Sequence, residues 1–214
     1  MKRAFTEKQW NDIHDKLYAV YGECECPLRH DSPFQLLAAV LLSAQCRDER
    51  VNEVTEKLFA AAPDAERMAK LSVDEIAGMI RSCGLFAAKS RNLHAAAQMI
   101  VAEFHGEVPR TMEELTRLPG IGRKSANVLL GNVFGIPGFP VDTHVARLLN
   151  RLGAVNDGDP VRIESAACAK IAPEKWCNFS HLLIRHGRLV CHSRKPKCGE
   201  CVLAGLCEKH GVDS

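Results

Sequence analysis

The sequence predicts an all-α fold assembled from many short helices, and three observations carry that prediction. Thr6-Glu7-Lys8-Gln9, Ser72-Val73-Asp74-Glu75 and Thr111-Met112-Glu113-Glu114 each place a hydroxyl three residues ahead of a Glu or Gln. That spacing lets side chain and backbone satisfy each other's free groups at a helix start. Alternating β-branched runs joined by tight hairpins are missing, and the Asp157-Gly158 pair separates two helical patterns rather than two strands. Gly or Pro also recurs at short intervals, at Gly22, Pro63, Gly84, Gly106, Pro109, Pro137 and Pro173, where helices tend to stop.

Taken in order, the first helix follows Thr6. Ser32-Pro33 supplies a cap and a first-turn proline ahead of Phe34–Leu42, whose composition predicts a buried helix. Helices follow Ser72 and Thr111, and others are expected near 49–61, 88–104, 123–134, 142–151, 160–171 and 174–189. A chain of 214 residues with 46% hydrophobic and 25% charged residues is one or two globular domains with a real core. The longest apolar run, Leu36 to Leu42, is seven residues and cannot span a bilayer. Acidic and polar residues enter too early after Met1 for a secretory leader. Ten cysteines without a leader then indicate reduced thiols and a soluble, cytoplasmic protein with no membrane partner.

The net charge of +2 hides an uneven distribution. Residues 117–151 hold Arg117, Arg123, Lys124, Arg147 and Arg151 against Asp142 alone, while residues 46–75 carry net charge −3. Such polarity suits a protein that turns one face to a polyanion. Within the basic stretch, Leu118-Pro119-Gly120-Ile121-Gly122 joins a capped helix to one starting near Arg123. Two glycines allow a tight turn and a close backbone approach. The free amides opening the second helix make a site for phosphate. Arg123-Lys124 and the flanking apolar residues Leu115, Leu118, Val128 and Leu129 fit a helix–hairpin–helix DNA-binding motif.

Near the C-terminus four cysteines follow the pattern Cys191-x₆-Cys198-x₂-Cys201-x₅-Cys207, with Arg194, Lys195 and Lys197 in the first gap. Four thiolates that close in sequence can surround one metal centre. Structural zinc usually takes two short hooks, and only Cys198 and Cys201 form one. A 4Fe–4S cluster spreads four thiolates over a larger polyhedron, and spacing alone leaves both metals open.

The order Leu118-Pro119-Gly120-Ile121-Gly122-Arg123-Lys124-Ser125-Ala126-Asn127-Val128, then Val141-Asp142-Thr143-His144-Val145, then the four cysteines, resembles the endonuclease III family. These are iron–sulfur DNA glycosylases and AP lyases of the helix–hairpin–helix superfamily. Leu41-Leu42-Ser43-Ala44-Gln45 and Gly84-Leu85-Phe86 extend the likeness over nearly the whole chain. The resemblance implies two helical domains flanking a DNA-binding groove. Residues 26–136 would form a helical barrel with the helix–hairpin–helix at about 112–131, and 1–25 with 137–214 the cluster domain, its loop at 191–207. It also implies a 4Fe–4S cofactor on Cys191, Cys198, Cys201 and Cys207, a mainly structural one that holds Arg194, Lys195 and Lys197 against phosphates. The implied partner is double-stranded DNA with damaged bases or abasic sites, met by a monomer, associated with the nucleoid if the source is bacterial.

The implied activity is release of oxidised pyrimidines followed by β-elimination at the abasic site. Such a lyase needs an amine that attacks the sugar C1′ and forms an iminium. An ordinary lysine, with pKa near ~10.4, is almost wholly protonated at neutral pH. The first turn of a helix favours the neutral amine at Lys124, as would burial. By resemblance Lys124 is the nucleophile. Asp142 is the essential carboxylate, expected to stabilise developing sugar cation and assist proton transfer, although it also reads as a plain helix cap. Gln45 and Leu85 match residues that fill the gap left by an extruded nucleotide, while the hairpin residues Leu118, Gly120, Ile121, Gly122 and Arg123 bind DNA. Cys46-Arg47 departs from the family's commoner pattern of a small residue and threonine, beside the base pocket. Two rival readings are a monofunctional mismatch glycosylase of the same superfamily and a non-catalytic, zinc-stabilised DNA-binding module. Lys124 and a chain ending at Ser214, without an extra recognition domain, weigh against the first.

Overall fold

A computed structural model describes residues 5–212, and among these every regular element is helical. In chain order the helices are α1 (Glu7–Tyr21), α2 (Pro33–Ser43), α3 (Asp48–Ala61), α4 (Ala65–Lys70), α5 (Val73–Met79) and α6 (Phe86–Phe104). They continue as α7 (Met112–Arg117), α8 (Arg123–Val133), α9 (Thr143–Leu152), α10 (Pro160–Cys168) and α11 (Trp176–Leu189). Short 3₁₀ turns cover Pro173–Lys175 and Cys198–Glu200. Met1–Ala4 and Asp213–Ser214 lie outside the described residues, and with them the readings drawn from the two chain ends. No helix is long and apolar enough to cross a membrane among the described residues.

The caps explain most of the helix starts. At Thr6 and Ser72 both halves of the capping box form, with the Gln9 and Glu75 side chains accepting from the cap amides at 3.0 and 2.7 Å. Thr111 departs from expectation. It accepts from the Glu114 amide, but its hydroxyl rather than its amide donates to the Glu114 carboxylate, at 2.7 Å. One helix escaped the sequence reading: α4, six residues capped by Asp64, too short to show a periodic pattern. α10 ends at Cys168, short of the expected 171, before the chain reaches Pro173.

The contacts divide the chain into two units, Cys26–Ile136 and a second made of Met1–Glu25 with Pro137–Ser214. The first is organised around α2, in which every residue from Phe34 to Leu42 is buried. A helix apolar on all sides must be surrounded, and α3, α6 and α8 pack against it. Each fully buried leucine there stabilises by roughly 1.5–3 kcal/mol. The second unit packs α11 against α1 and α9. Phe179 of α11 lies at its centre, with the Trp10, His14 and Phe139 rings at 6.4, 5.6 and 5.9 Å between centroids. Cys24 and Cys26, neighbours in sequence, pack against different cores.

Two stability predictions follow from this packing. Leu37→Ala should lose ~2–5 kcal/mol in urea unfolding, whereas Val161→Ala, at a residue 44% exposed, should change it by less than ~0.5 kcal/mol. Gly120 sits at φ +83°, and a Cβ there would lie 3.0 Å from Leu41 Cδ1 and 3.1 Å from Asn92. Gly122 has open space around it and ordinary φ. Gly120→Ala should therefore lower stability by ~1–3 kcal/mol, and Gly122→Ala should leave the melting midpoint within about 2 °C.

Candidate functional site

Four of the helix starts in the Cys26–Ile136 unit, those of α2, α4, α5 and α7, carry a side-chain cap. The other three, of α3, α6 and α8, have none. These uncapped starts are the segments of Gln45-Cys46-Arg47, of Leu85 and of the Gly120–Gly122 hairpin. An uncapped start keeps amide donors and the positive end of the helix dipole available to an anion.

Contacts hold the three segments at one end of this unit. The Gly120 backbone lies against Leu41 of α2 and Asn92 of α6. α2 runs out into Gln45, whose carbonyl stands 3.4 Å from the Cβ position of Gly84, one residue before Leu85. Gln45 and Leu85 both adopt left-handed backbone, at φ 53° and 59°. For non-glycine residues this costs roughly 1–3 kcal/mol each. Leu85 is 59% exposed, unlike the leucines of the core. Gln45 is exposed too. A polar and an apolar side chain thus project from two adjoining strained loops.

Lys124 is the second residue of α8, and it is exposed. Asp142 belongs to the other unit. It caps α9, its Oδ1 accepting from the His144 and Val145 amides at 2.8 and 2.9 Å, so its direction is set by the helix it opens.

α9 also anchors the cysteine loop. Arg147 donates to the Cys191 carbonyl at 2.8 Å and to the Gly187 carbonyl at 3.1 Å. One turn on, Arg151 donates to the carbonyls of His192 and Ser193 at 2.6 and 2.8 Å and to Cys191 Sγ at 3.3 Å. His186 lies between the Tyr21 hydroxyl at 2.9 Å and Cys201 Sγ at 3.3 Å. Burial pushes its imidazole down to about 4, so the ring is neutral at neutral pH. Arg194, Lys195 and Lys197 are exposed on the same loop.

The four cysteines line one small cavity. Burial raises the thiols of Cys201 and Cys207, and the neighbouring cluster cysteines raise them further. Four thiolates there need a cationic centre. Sulfurs gathered around one cavity fit a thiolate-bound metal centre.

Leu118 and Ile121, expected among the DNA contacts, have buried side chains, 2% and 4% exposed. The structure corrects one part of the sequence reading. The basic stretch 117–151 is not one polyanion face. Arg117 pairs with Glu103 and stacks over Phe104, and Arg147 and Arg151 hold the cysteine loop. Their spacing, i and i+4 on one helix ahead of the cysteines, was the available signal. His186, a partner of Cys201, had no such signal because its neighbours come from α1 and the loop.

The profile of the HhH-GPD superfamily base excision DNA repair proteins matches residues 38–174, and that of the iron–sulfur binding domain of endonuclease III matches residues 191–207. The chain is 49% identical to an endonuclease III of Synechocystis over 207 residues, 96% of this chain and 94% of the relative. It is 41% identical to that of Bacillus subtilis over 203 residues, 94% and 93% of the two chains. A solved trapped endonuclease III–DNA covalent intermediate superimposes with a TM-score of 0.92 at 38% identity, covering 96% of this chain and 97% of that one. The cofactor is a 4Fe–4S cluster. With both profiles matched in order and relatives this similar across their length, the chain belongs to the endonuclease III family of the HhH-GPD superfamily.

Proposed function

We propose that this protein is a bifunctional DNA glycosylase and abasic-site lyase of base excision repair, acting as a monomer on oxidised pyrimidines in double-stranded DNA. The observation that supports it most is Lys124, an exposed amine on the uncapped first turn of α8 directly after the Gly120–Gly122 hairpin. The hairpin amides take a DNA phosphate at the helix start, and that contact sets the amine against the sugar.

The neutral Lys124 Nζ attacks C1′, and the damaged base departs with the glycosidic electrons. Loss of one proton from the attached nitrogen, with cleavage of the C1′–O4′ bond and protonation of O4′, opens the sugar ring and leaves an iminium, which acidifies C2′. Removal of that proton drives the electron pair toward C1′ and expels the 3′ phosphate. Asp142, oriented by its two amide bonds, stabilises the cationic sugar and serves proton transfer. Gln45 and Leu85 occupy the space vacated by the extruded nucleotide. Cys191, Cys198, Cys201 and Cys207 hold the cluster, whose contribution when bound is to fold the loop. Arg194, Lys195 and Lys197 on that loop bind phosphates, a salt-sensitive part of the affinity. The site of action is the reducing cytoplasm, at the chromosome.

Borohydride should trap a covalent adduct between the protein and a duplex containing an abasic site, and Lys124→Gln should abolish it; an undiminished adduct in that variant would sink the assignment. Gly122→Ala, which leaves the fold intact, should weaken binding to the same duplex about tenfold, or ~1.4 kcal/mol, as its methyl obstructs the phosphate at the start of α8.

A further inference from the structure

One of the cluster cysteines faces a donor whose role is set by a second residue. His186 of α11 is 1% exposed, with Nε2 3.3 Å from Cys201 Sγ and Nδ1 2.9 Å from the Tyr21 hydroxyl. Tyr21 is the last residue of α1, its ring 5.9 Å from the imidazole between centroids and inclined to it at 62°. The Arg185 guanidinium lies over the Tyr21 ring, 5.4 Å from its centroid. α1 and α11 together hold this ring pair beside the cysteine loop.

The partners fix where the proton sits. A cysteine that ligates a metal centre does so as the thiolate, which can only accept a hydrogen bond. In a neutral imidazole one nitrogen carries the proton and the other accepts. Nε2, facing the thiolate, is therefore the protonated nitrogen, and Nδ1 accepts from the Tyr21 hydroxyl. The opposite tautomer would set a lone pair against a negative sulfur. Two other cluster sulfurs have donors that need no such setting. The Arg151 guanidinium donates to Cys191 Sγ at 3.3 Å, and the Lys209 amide to Cys207 Sγ at 3.4 Å. Neither of those groups has a tautomer to choose. The imidazole does, and the hydrogen bond at its far nitrogen chooses it.

We infer that Tyr21 and His186 are positioning residues for the 4Fe–4S cluster: the Tyr21 hydroxyl fixes the imidazole tautomer, so that Nε2–H donates to Cys201 and biases the bound cluster toward its reduced form. A donor to a ligating sulfur draws off negative charge, and the reduced form, richer by an electron, gains more from it. Losing the donor therefore lowers the reduction potential. This role is independent of the proposed reaction on DNA.

The test compares cluster-loaded, full-length protein with its Tyr21→Phe variant, which keeps the ring under Arg185 and removes only the hydroxyl. A redox titration followed by cluster absorbance should give a lower midpoint for the variant. At a fixed electrode poise the reduced-to-oxidised ratio should fall roughly fivefold, the scale of one ordinary hydrogen bond. In a His186→Gln background the side-chain amide brings its own N–H, so adding Tyr21→Phe should cause no further shift. Ring-nitrogen NMR of the loaded wild-type protein should find the His186 proton on Nε2. An unchanged or raised midpoint in Tyr21→Phe at full cluster content, an equal drop in the His186→Gln background, or a proton on Nδ1 alone would each overturn the inference. Where a variant fails to take up the cluster, the NMR measurement on the wild-type protein still decides the tautomer.

Discussion

The approach of the Gly120 backbone to α2 and α6 is the constraint on which one end of the Cys26–Ile136 unit depends. A side chain at that position would meet Leu41 Cδ1 at 3.0 Å and Asn92 at 3.1 Å, so the hairpin can seat only because a glycine is there. Seating the hairpin on α2 sets where α8 begins, and with it Lys124. The same α2 surface leads through Leu42 into Gln45, and the Gln45 carbonyl rests against Gly84 beside Leu85. A buried, largely apolar helix thereby becomes the ruler against which three candidate DNA-contacting segments are placed.

Those segments share an electrostatic property. They are the helix starts that the unit leaves without side-chain caps, while its remaining starts are capped by Ser32, Asp64, Ser72 and Thr111. Omitting a cap typically forgoes ~1 kcal/mol of stability. Adding left-handed backbone at Gln45 and Leu85 raises the cost locally. Stability is surrendered at the places where amides and side chains are presented outward, and it is recovered in the α2 core.

The other unit uses its arginines differently. α9 opens at Asp142, whose carboxylate is spent on two amides, and its later turns present Arg147 and Arg151 to the carbonyls and one sulfur of the cysteine loop. One helix therefore both orients the Asp142 carboxylate and supports the cysteine loop. A guanidinium, always charged and forked, can satisfy several carbonyls at once, which explains why arginine and not lysine occupies both positions. Basic residues in this chain accordingly divide into those that build a loop and those, such as Arg194, Lys195 and Lys197, that the loop exposes.

The sequence by itself determined the helical class and most helix starts, because caps, prolines and apolar periodicity act over three or four residues. It also singled out the hairpin, Lys124, Asp142 and the cysteine pattern, whose chemistry depends on residue type and local spacing. Short α4 was illegible because six residues carry too little periodic pattern, and at Thr111 the Glu114 carboxylate accepts from the hydroxyl and not the amide. Only the tertiary structure decided which basic residues are structural, that Leu118 and Ile121 face inward while Leu85 faces out, and that His186 meets Cys201. The physical reason is common to all of these. Burial and partner choice are set by which distant surfaces meet, and no spacing rule along the chain encodes that.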